Sequence, residues 1–389
     1  MASVILSAAR TPIGSFGGAL SSVTAPHLGA TAIQGALDRA GVDPAEVGEV
    51  LMGNVVTAGV GQAPARQAAI HAGIPDSVPC MTVNKVCGSG MKTVLLADQS
   101  IRAGDNDVVV AGGMENMSQA PFLLDKARYG YGYGNGQLID ALFHDGLRDA
   151  YDGNAMGVAA DLCGETCNVP RERQDEFSIL SYQRAQESID TGRFADETVP
   201  VTVKGRKGDT VVEKDEEPFK TNFDKIPQLR PVFTKEGTVT AANASTINDG
   251  AAALVVASEE WAEANGKAPL ARIVATAQHS QKPVEFTTAP IGAIEKVLGK
   301  AGLALDDIDL FEVNEAFAVV SLAAQDALGI PTEKLNVNGG AVAVGHPIGA
   351  SGARILTTLL YAMQQRDAKR GLAAICIGGG EATAIIVER

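Results

Sequence analysis

The sequence predicts an α/β protein built from two related β/α halves with an inserted segment between them. Three observations predict it. Short apolar runs of strand length alternate with segments whose apolar residues recur at helical spacing. The letters of the first half return, in order, in the second. Between the halves, from about Ser118 to Thr240, the chain is more charged and carries a helix of its own.

In the first half, Ser3 to Ala8 reads as an opening strand. Leu28 to Gly41 reads as a helix with Ile33, Ala36, Leu37 and Ala40 on one face, ended by Gly41. Val47 to Val56 contains a strand, and Gln62 to Ala72 a helix. An extended run then gives way to a helix bearing Met91, Val94, Leu95 and Ile101. If that helix starts near Asn84 or Lys85, Cys87 falls in its first turn, where unpaired N–H groups favour a thiolate. Asp107 to Gly113 holds an apolar run of the kind buried on both sheet faces.

The second half echoes these elements. Leu37-Asp38-Arg39-Ala40-Gly41-Val42, with Val47, Val50 and Asn54 beyond it, resembles Leu298-Gly299-Lys300-Ala301-Gly302-Leu303 with Ile308, Phe311 and Asn314. The glycine-rich turn and helix at Val83–Ala97 resemble Val337 to Gly352 and the helix after it. Val109 to Glu115 resembles Ile375 to Glu381. In the insert, Arg171 to Ala185 is an amphipathic helix, with Pro170 expected in its first turn and Asn168 as cap. Lys204 to Lys220 reads as a solvated loop or hairpin. An insert of this size is more often a substrate lid or an assembly element than surface decoration.

Composition narrows the function. A net charge of −14 over 389 residues argues against non-specific nucleic-acid binding and against an anionic membrane surface. Five widely spread cysteines form no disulfide framework, and Cys163 with Cys167 lacks the second pair that a zinc site needs. No apolar run reaches membrane-spanning length, and no signal or transit segment is read before the first strand. The reducing cytoplasm is therefore the expected compartment.

The chemistry-bearing residues stand in turns at strand ends, where α/β sheets place their sites. Cys87 is followed by Gly88-Ser89-Gly90, and a glycine beside the sulfur would let a substrate carbonyl approach. His346, in Gly345-His346-Pro347, can take a proton from a thiol and settle as imidazolium beside the thiolate. Cys376 ends an apolar strand before Gly378-Gly379-Gly380, a place for a proton shuttle beside exposed N–H groups. Asn314, with Glu315, stands where a strand meets a helix and either caps that helix or holds a carbonyl or water. Together they suggest acyl transfer through a thioester. His27, His71, His144 and His279 show no partner, and the glycine runs lack the Gly-Lys-Ser/Thr of a phosphate loop.

Asn84-Lys85-Val86-Cys87-Gly88-Ser89-Gly90, Asn314-Glu315-Ala316-Phe317, Gly345-His346-Pro347 and Cys376-Ile377-Gly378-Gly379-Gly380 resemble, in order, the motifs of the thiolase family. The resemblance runs from Ala9-Arg10-Thr11-Pro12 to the C-terminus. It implies βαβαβαββ-type halves in a five-layered αβαβα fold: residues 1–117 with 241–268, an inserted loop domain at 118–240 that grips coenzyme A, and residues 269–389. It implies Cys87 as nucleophile, His346 as its activator, Cys376 as the acid/base at the α-carbon, and Asn314 as holder of a water in one oxyanion site. The N–H groups of Cys87 and Gly378 would form the other. Ser245, Leu147, Met156, Ala316 and Phe317 match positions that meet the pantetheine arm. Lys220 stands in for an arginine near the adenine, and Ala155 replaces a histidine frequent in short-chain members. Phe122 to Gly146 aligns with the segment that pairs dimers into a homotetramer. The implied partners are acyl-CoA molecules as substrates, with no cofactor and no metal. The expected activity is acetyl-CoA C-acetyltransfer, with a broad-range 3-ketoacyl-CoA thiolase as the rival. Cys376 argues against a decarboxylating ketoacyl synthase, and an intact Cys87 against a non-catalytic carrier of the same fold.

Overall fold

The computed structural model describes residues 2–389. Its principal strands are β1 (Ser3–Arg10), β2 (Glu49–Gly53), β3 (Cys80–Val83), β4 (Val108–Asn116), β5 (Asn248–Ser258), β6 (Ala271–Ser280), β7 (Leu310–Val313), β8 (Arg370–Ile377) and β9 (Glu381–Glu388). They lie in the order β7-β8-β9-β6-β1-β5-β4-β2-β3. Between β6 and β1 only two residue pairs join, Val4 with Arg272 and Ile5 with Ala271. The sheet therefore divides there into two sets of strands.

The two sets repeat one another. In the first, β2 runs parallel to β4, β4 antiparallel to β5, and β5 antiparallel to β1. In the second, β7, β8, β9 and β6 follow the same sequence of directions. Even β3, the strand before Cys87, has its counterpart in the Phe311–Leu335 bridge upstream of His346. The echoed letters thus occupy equivalent places, and Cys87 and His346 are duplicated positions put to different use.

The helices used below are α1 (Ala25–Ala40), α2 (Pro64–His71), α3 (Ser89–Ala103), α4 (Met156–Thr166), α5 (Arg171–Asp190), α6 (Ala289–Ala301), α7 (Ala318–Leu328) and α8 (Ile348–Gln365). Strand alternation assigns the layers. Val108 and Val110 of β4 pack with Leu28 and Ile33 of α1, while Val109 and Ala111 pack with Leu95 of α3 and Leu359 of α8. Ala373 and Ile375 of β8 join that same central core, whereas Leu372 and Ala374 face Ile294 of α6 and Val319 of α7. Helices, sheet, helices, sheet, helices: the five layers follow from which residues share a core. Strands buried on both faces explain the unbroken apolar runs.

The central layer decides where the site forms. A Cβ on Gly90 of α3 would lie 2.8 Å from the Ala353 nitrogen, and one on Gly352 of α8 would lie 2.4 Å from the Met91 nitrogen. Without side chains there, the first turns of α3 and α8 close on each other. Cys87 and His346, each just upstream of its helix, are carried together.

Several expectations need correction. Helix α3 begins at Ser89 with Gly88 as its cap, so Cys87 precedes the first turn instead of lying in it. Pro170 is itself the N-cap of α5, and Asn168 sits at φ +54° in the turn before it without capping. His27 and His71 do have partners: their rings stack with centroids 4.2 Å apart, and His27 Nδ1 meets Thr24 Oγ1 at 2.7 Å. His279 Nε2 meets Gln281 Oε1 at 3.1 Å. The insert is not surface decoration. Ala160 of α4 and Phe177 and Ala185 of α5 belong to the same core as Val319. Val201–Val203 and Thr210–Val212 form a small hairpin. Among the described residues, no helix is long and apolar enough to cross a membrane.

Candidate active site

The nucleophile candidate sits in a tight, strained turn. Val86 has φ +45°, a conformation that costs a β-branched residue about 1–3 kcal/mol. Hydrogen bonds hold it there. Lys85 N donates to Ser89 Oγ (2.8 Å), Ser89 Oγ to Val86 O (2.7 Å) and Val86 N to Asn84 Oδ1 (3.0 Å). The turn aims Cys87 out of the sheet end. The space beside Gly88 is not left for substrate: a Cβ there would lie 2.3 Å from Ile377 Cδ1. The last residue of β8 fills it, which draws the Gly378 turn against the Cys87 turn. An ion pair between Lys85 and Glu381 closes the same junction from outside.

That junction sets the local electrostatics. Burial pushes the Cys87 thiol up to about 11, against the Gly378 N–H and the N–H of Cys87 itself, which favour the anion; Glu115 adds to the rise. Both N–H groups expected to form an oxyanion site therefore converge on the sulfur. Burial outweighs both donors, and the resting group is a thiol.

His346 is placed by three contacts at the start of α8. Its own N–H donates to Asn248 Oδ1 (2.9 Å), Gly349 N donates to Glu115 Oε2 (2.9 Å), and Nδ1 lies 2.5 Å from Ser351 Oγ. The Ser351 hydroxyl donates its one proton to Pro347 O (2.9 Å). Its oxygen must then accept, so Nδ1 carries the hydrogen and Nε2, which has no protein partner, keeps the lone pair. Burial, with the nearby Arg354 charge, pushes the imidazole down to about 3. His346 is a neutral base, and burial of both groups disfavours the expected thiolate–imidazolium pair in the resting site. Alkylation of Cys87 by iodoacetamide should accordingly rise continuously between pH 7 and pH 9. A plateau across that range would reveal a preformed ion pair.

Glu115 ties these pieces together. It accepts Asn54 Nδ2 (2.6 Å), Val55 N (3.0 Å) and Val56 N (3.2 Å) from the turn after β2, besides Gly349 N. Burial outweighs these four donors and pushes the carboxyl up to about 7. Nothing in the spacing of Gly113-Met114-Glu115 announces this role.

Cys376 and Asn314 stand behind the pocket instead of lining it. Cys376 is fully buried; burial, and a negative charge on Cys87, hold its thiol well above the ordinary range. The two sulfurs are thus within electrostatic reach. Phe317, not Asn314, caps α7, which removes the capping alternative for Asn314. Asn314 Oδ1 accepts from Arg354 Nη2 at 3.5 Å, and Asn314 Nδ2 is buried with no protein partner. Glu315 accepts from Ser181 Oγ (2.7 Å), Asn336 Nδ2 (2.8 Å) and Val342 N (3.1 Å), binding α5 to the turn before α8.

The pocket in front encloses about 270 Å³. Cys87, His346 and Gly378 line it together with Leu147, Met156, Ser245, Ala316 and Phe317. Met156 opens α4 with Ala155 as its N-cap, and Ala155 lines the pocket too. The Ser245 hydroxyl donates to Ala316 O (2.9 Å), fixing the wall. Lys220 lies elsewhere, at a groove that shares Phe233, Ala244, Ser245, Thr246 and Ile247 with the pocket. There it bonds Ser15 Oγ and lies 3.8 Å from Glu216 and 3.9 Å from Glu217. Sequence reading missed Phe143, Phe233, Phe286 and Ile348, which make the pocket strongly apolar. They come from four separate segments, so no periodic pattern joins them.

The chain is similar to known proteins along almost its whole length. The model of the thiolase N-terminal domain matches residues 3–260, and that of the thiolase C-terminal domain residues 267–389. An acetyl-CoA acetyltransferase of Escherichia coli (strain K12) is 53% identical over 388 residues, covering 99% of this chain and 98% of its own. One from Schizosaccharomyces pombe is 51% identical over 387 residues, covering 99% and 98%. A probable acetyl-CoA acetyltransferase of Dictyostelium discoideum is 52% identical over 387 residues, covering 99% and 94%.

Proposed function

The chain belongs to the thiolase family, and from that premise we propose that it is an acetyl-CoA C-acetyltransferase. It interconverts two acetyl-CoA with acetoacetyl-CoA and free coenzyme A through an acetyl-Cys87 intermediate. The observation that carries this reading is the convergence of a thiol, a neutral imidazole with a free Nε2 and two backbone N–H groups on one apolar pocket, with a second thiol behind.

In the thiolytic direction, His346 Nε2 takes the Cys87 proton as the sulfur attacks the ketone carbon of acetoacetyl-CoA. The bond between that carbon and the α-carbon breaks, and the departing enolate takes the proton of Cys376. The raised Cys376 thiol suits this step, because it is protonated when the carbanion forms. Coenzyme A then gives its thiol proton to the Cys376 thiolate, attacks acetyl-Cys87 and leaves as acetyl-CoA. His346 returns its proton to Cys87. Two different anions form along the way, and each donor set is asked for roughly 3–4 kcal/mol. The N–H groups of Cys87 and Gly378 serve the tetrahedral adduct; Asn314 with His346 serves the enolate.

The pantetheine arm lies along Ser245, Leu147, Met156, Ala316 and Phe317, and Lys220 in the adjoining groove meets the nucleotide end. The functional division is residues 1–117 with 241–268, the insert 118–240, and residues 269–389. The enzyme works in the cytoplasm as a homotetramer. The hairpin of Phe122–Leu123 and Ile139–Asp140 supports the assembly, since it carries Tyr129 and Tyr133 fully into solvent in a single chain.

The test is a chain-length profile of thiolysis. Acetoacetyl-CoA should exceed 3-ketooctanoyl-CoA in kcat/KM by about tenfold or more, because forcing the four extra methylenes of the longer substrate into a filled pocket costs about 1–3 kcal/mol. A clear preference for the longer substrate would favour a 3-ketoacyl-CoA thiolase of broad range.

A further inference from the structure

Behind Asn314, the middle of α8 buries an arginine that the reaction scheme does not use. Arg354 is 1% exposed, and its Nε has no protein partner. The carboxylates whose charges reach it are Glu312, Glu197 and Glu315, and one further cation, Arg10, lies within range. Glu312 is equally buried, with Oε1 unpartnered. Arg354 reaches one polar group of the site, at 3.5 Å: Asn314 Oδ1.

We propose that Arg354 is a positioning residue that fixes which end of the Asn314 amide faces the reacting atoms. A guanidinium has donors only, so it can face an amide oxygen and never an amide nitrogen. With Oδ1 turned to Arg354, the two Nδ2 hydrogens are the end left to donate toward an enolate oxygen or a water on it. Without that charge, the buried amide is free to turn its oxygen toward the developing anion, which would repel it. Ser321 and Thr357 cannot substitute: both hydroxyls already donate, to Val313 O and Ala353 O. The same positive charge disfavours an imidazolium at His346, so its loss raises that group as well.

The inference rests on the acetyltransferase reading, and the two are tested by different half-reactions. Acetylation of Cys87 by acetyl-CoA, followed by intact mass, uses the Cys87 and Gly378 N–H groups. Exchange of the acetyl-CoA methyl protons with D2O uses Asn314. Arg354→Met should slow methyl exchange and thiolysis by about 10²-fold, the loss also expected of Asn314→Ala, with KM little changed. Acetylation should change by less than about threefold, and adding Arg354→Met to Asn314→Ala should cost less than about threefold more. Arg354→Lys, which keeps a charged donor, should recover about tenfold. The double variant Glu312→Gln/Arg354→Met removes the guanidinium together with the buried carboxyl group whose charge reaches it, and keeps the comparison valid if Arg354→Met alone unfolds. Equal losses in both half-reactions, or fully additive losses with Asn314→Ala, would overturn the proposal. A wild-type protein that acetyl-CoA does not acetylate would overturn the activity reading, and this inference with it.

Discussion

Cys87→Ala should lower kcat for acetoacetyl-CoA thiolysis by about 10⁴-fold or more while leaving the melting temperature close to that of the wild type. The reaction breaks a carbon–carbon bond, and without a covalent intermediate the two half-reactions lose their common carrier. Cys376 cannot replace Cys87, because it lies wholly buried behind the pocket and burial holds it protonated. Alanine keeps the Cβ, so the contacts that shape the turn survive: Ile377 still fills the space beside Gly88, and Ser89 still ties Lys85 to Val86. Steady-state kinetics together with intact mass after mixing with acetyl-CoA make the check. An acetyl adduct of undiminished yield in the alanine variant would place the acyl group on another residue and remove the mechanism.

Cys376→Ala should divide the reaction. Thiolysis and methyl-proton exchange should fall by about 10³-fold, within the usual worth of a positioned acid or base. Acetylation of Cys87 by acetyl-CoA should slow by less than about tenfold, because coenzyme A departs as a thiolate and needs the Cys376 proton far less than a carbanion does. Serine should not rescue it, because a buried hydroxyl gives and takes the proton far less readily than a thiol. Loss of acetylation in parallel with thiolysis would show that the second sulfur shapes the first instead of serving the α-carbon. The cavity left by one buried sulfur costs about 1–2 kcal/mol, so the melting temperature should fall by a few degrees.

Much of this was legible from the letters because a duplication was. Val109–Glu115 and Ile375–Glu381 read alike and occupy the same place in the two strand sets. Their apolar runs signal strands covered on both faces, and the turn residues at their ends mark the site. Cys87, His346, Asn314, Cys376 and Gly378 stand at such strand ends, their roles are implied by the resemblance to the thiolases, and the structure brings Cys87, His346 and Gly378 to one pocket. Helix starts were harder. Lys85 and Val86 look able to begin α3, but Val86 adopts φ +45° and the helix cannot start before Ser89. That shift of a few residues takes the sulfur out of the first turn, and burial then keeps it a thiol at rest.

The supporting residues were invisible for a different reason. Glu115, Ser351 and Arg354 work through partners far away in the chain or through a free lone pair that no spacing encodes. Gly90 and Gly352 look like ordinary helix glycines until each meets the other helix's backbone. Sequence by itself determined the element types, the duplication and which side chains can bear the chemistry, because these depend on period and local propensity. Only the tertiary structure decided the protonation of Cys87, the tautomer of His346 and the facing of Asn314. Each of those depends on how deeply a group is buried and on what lies within a few ångströms of it, and two layers of sheet must close before either is defined.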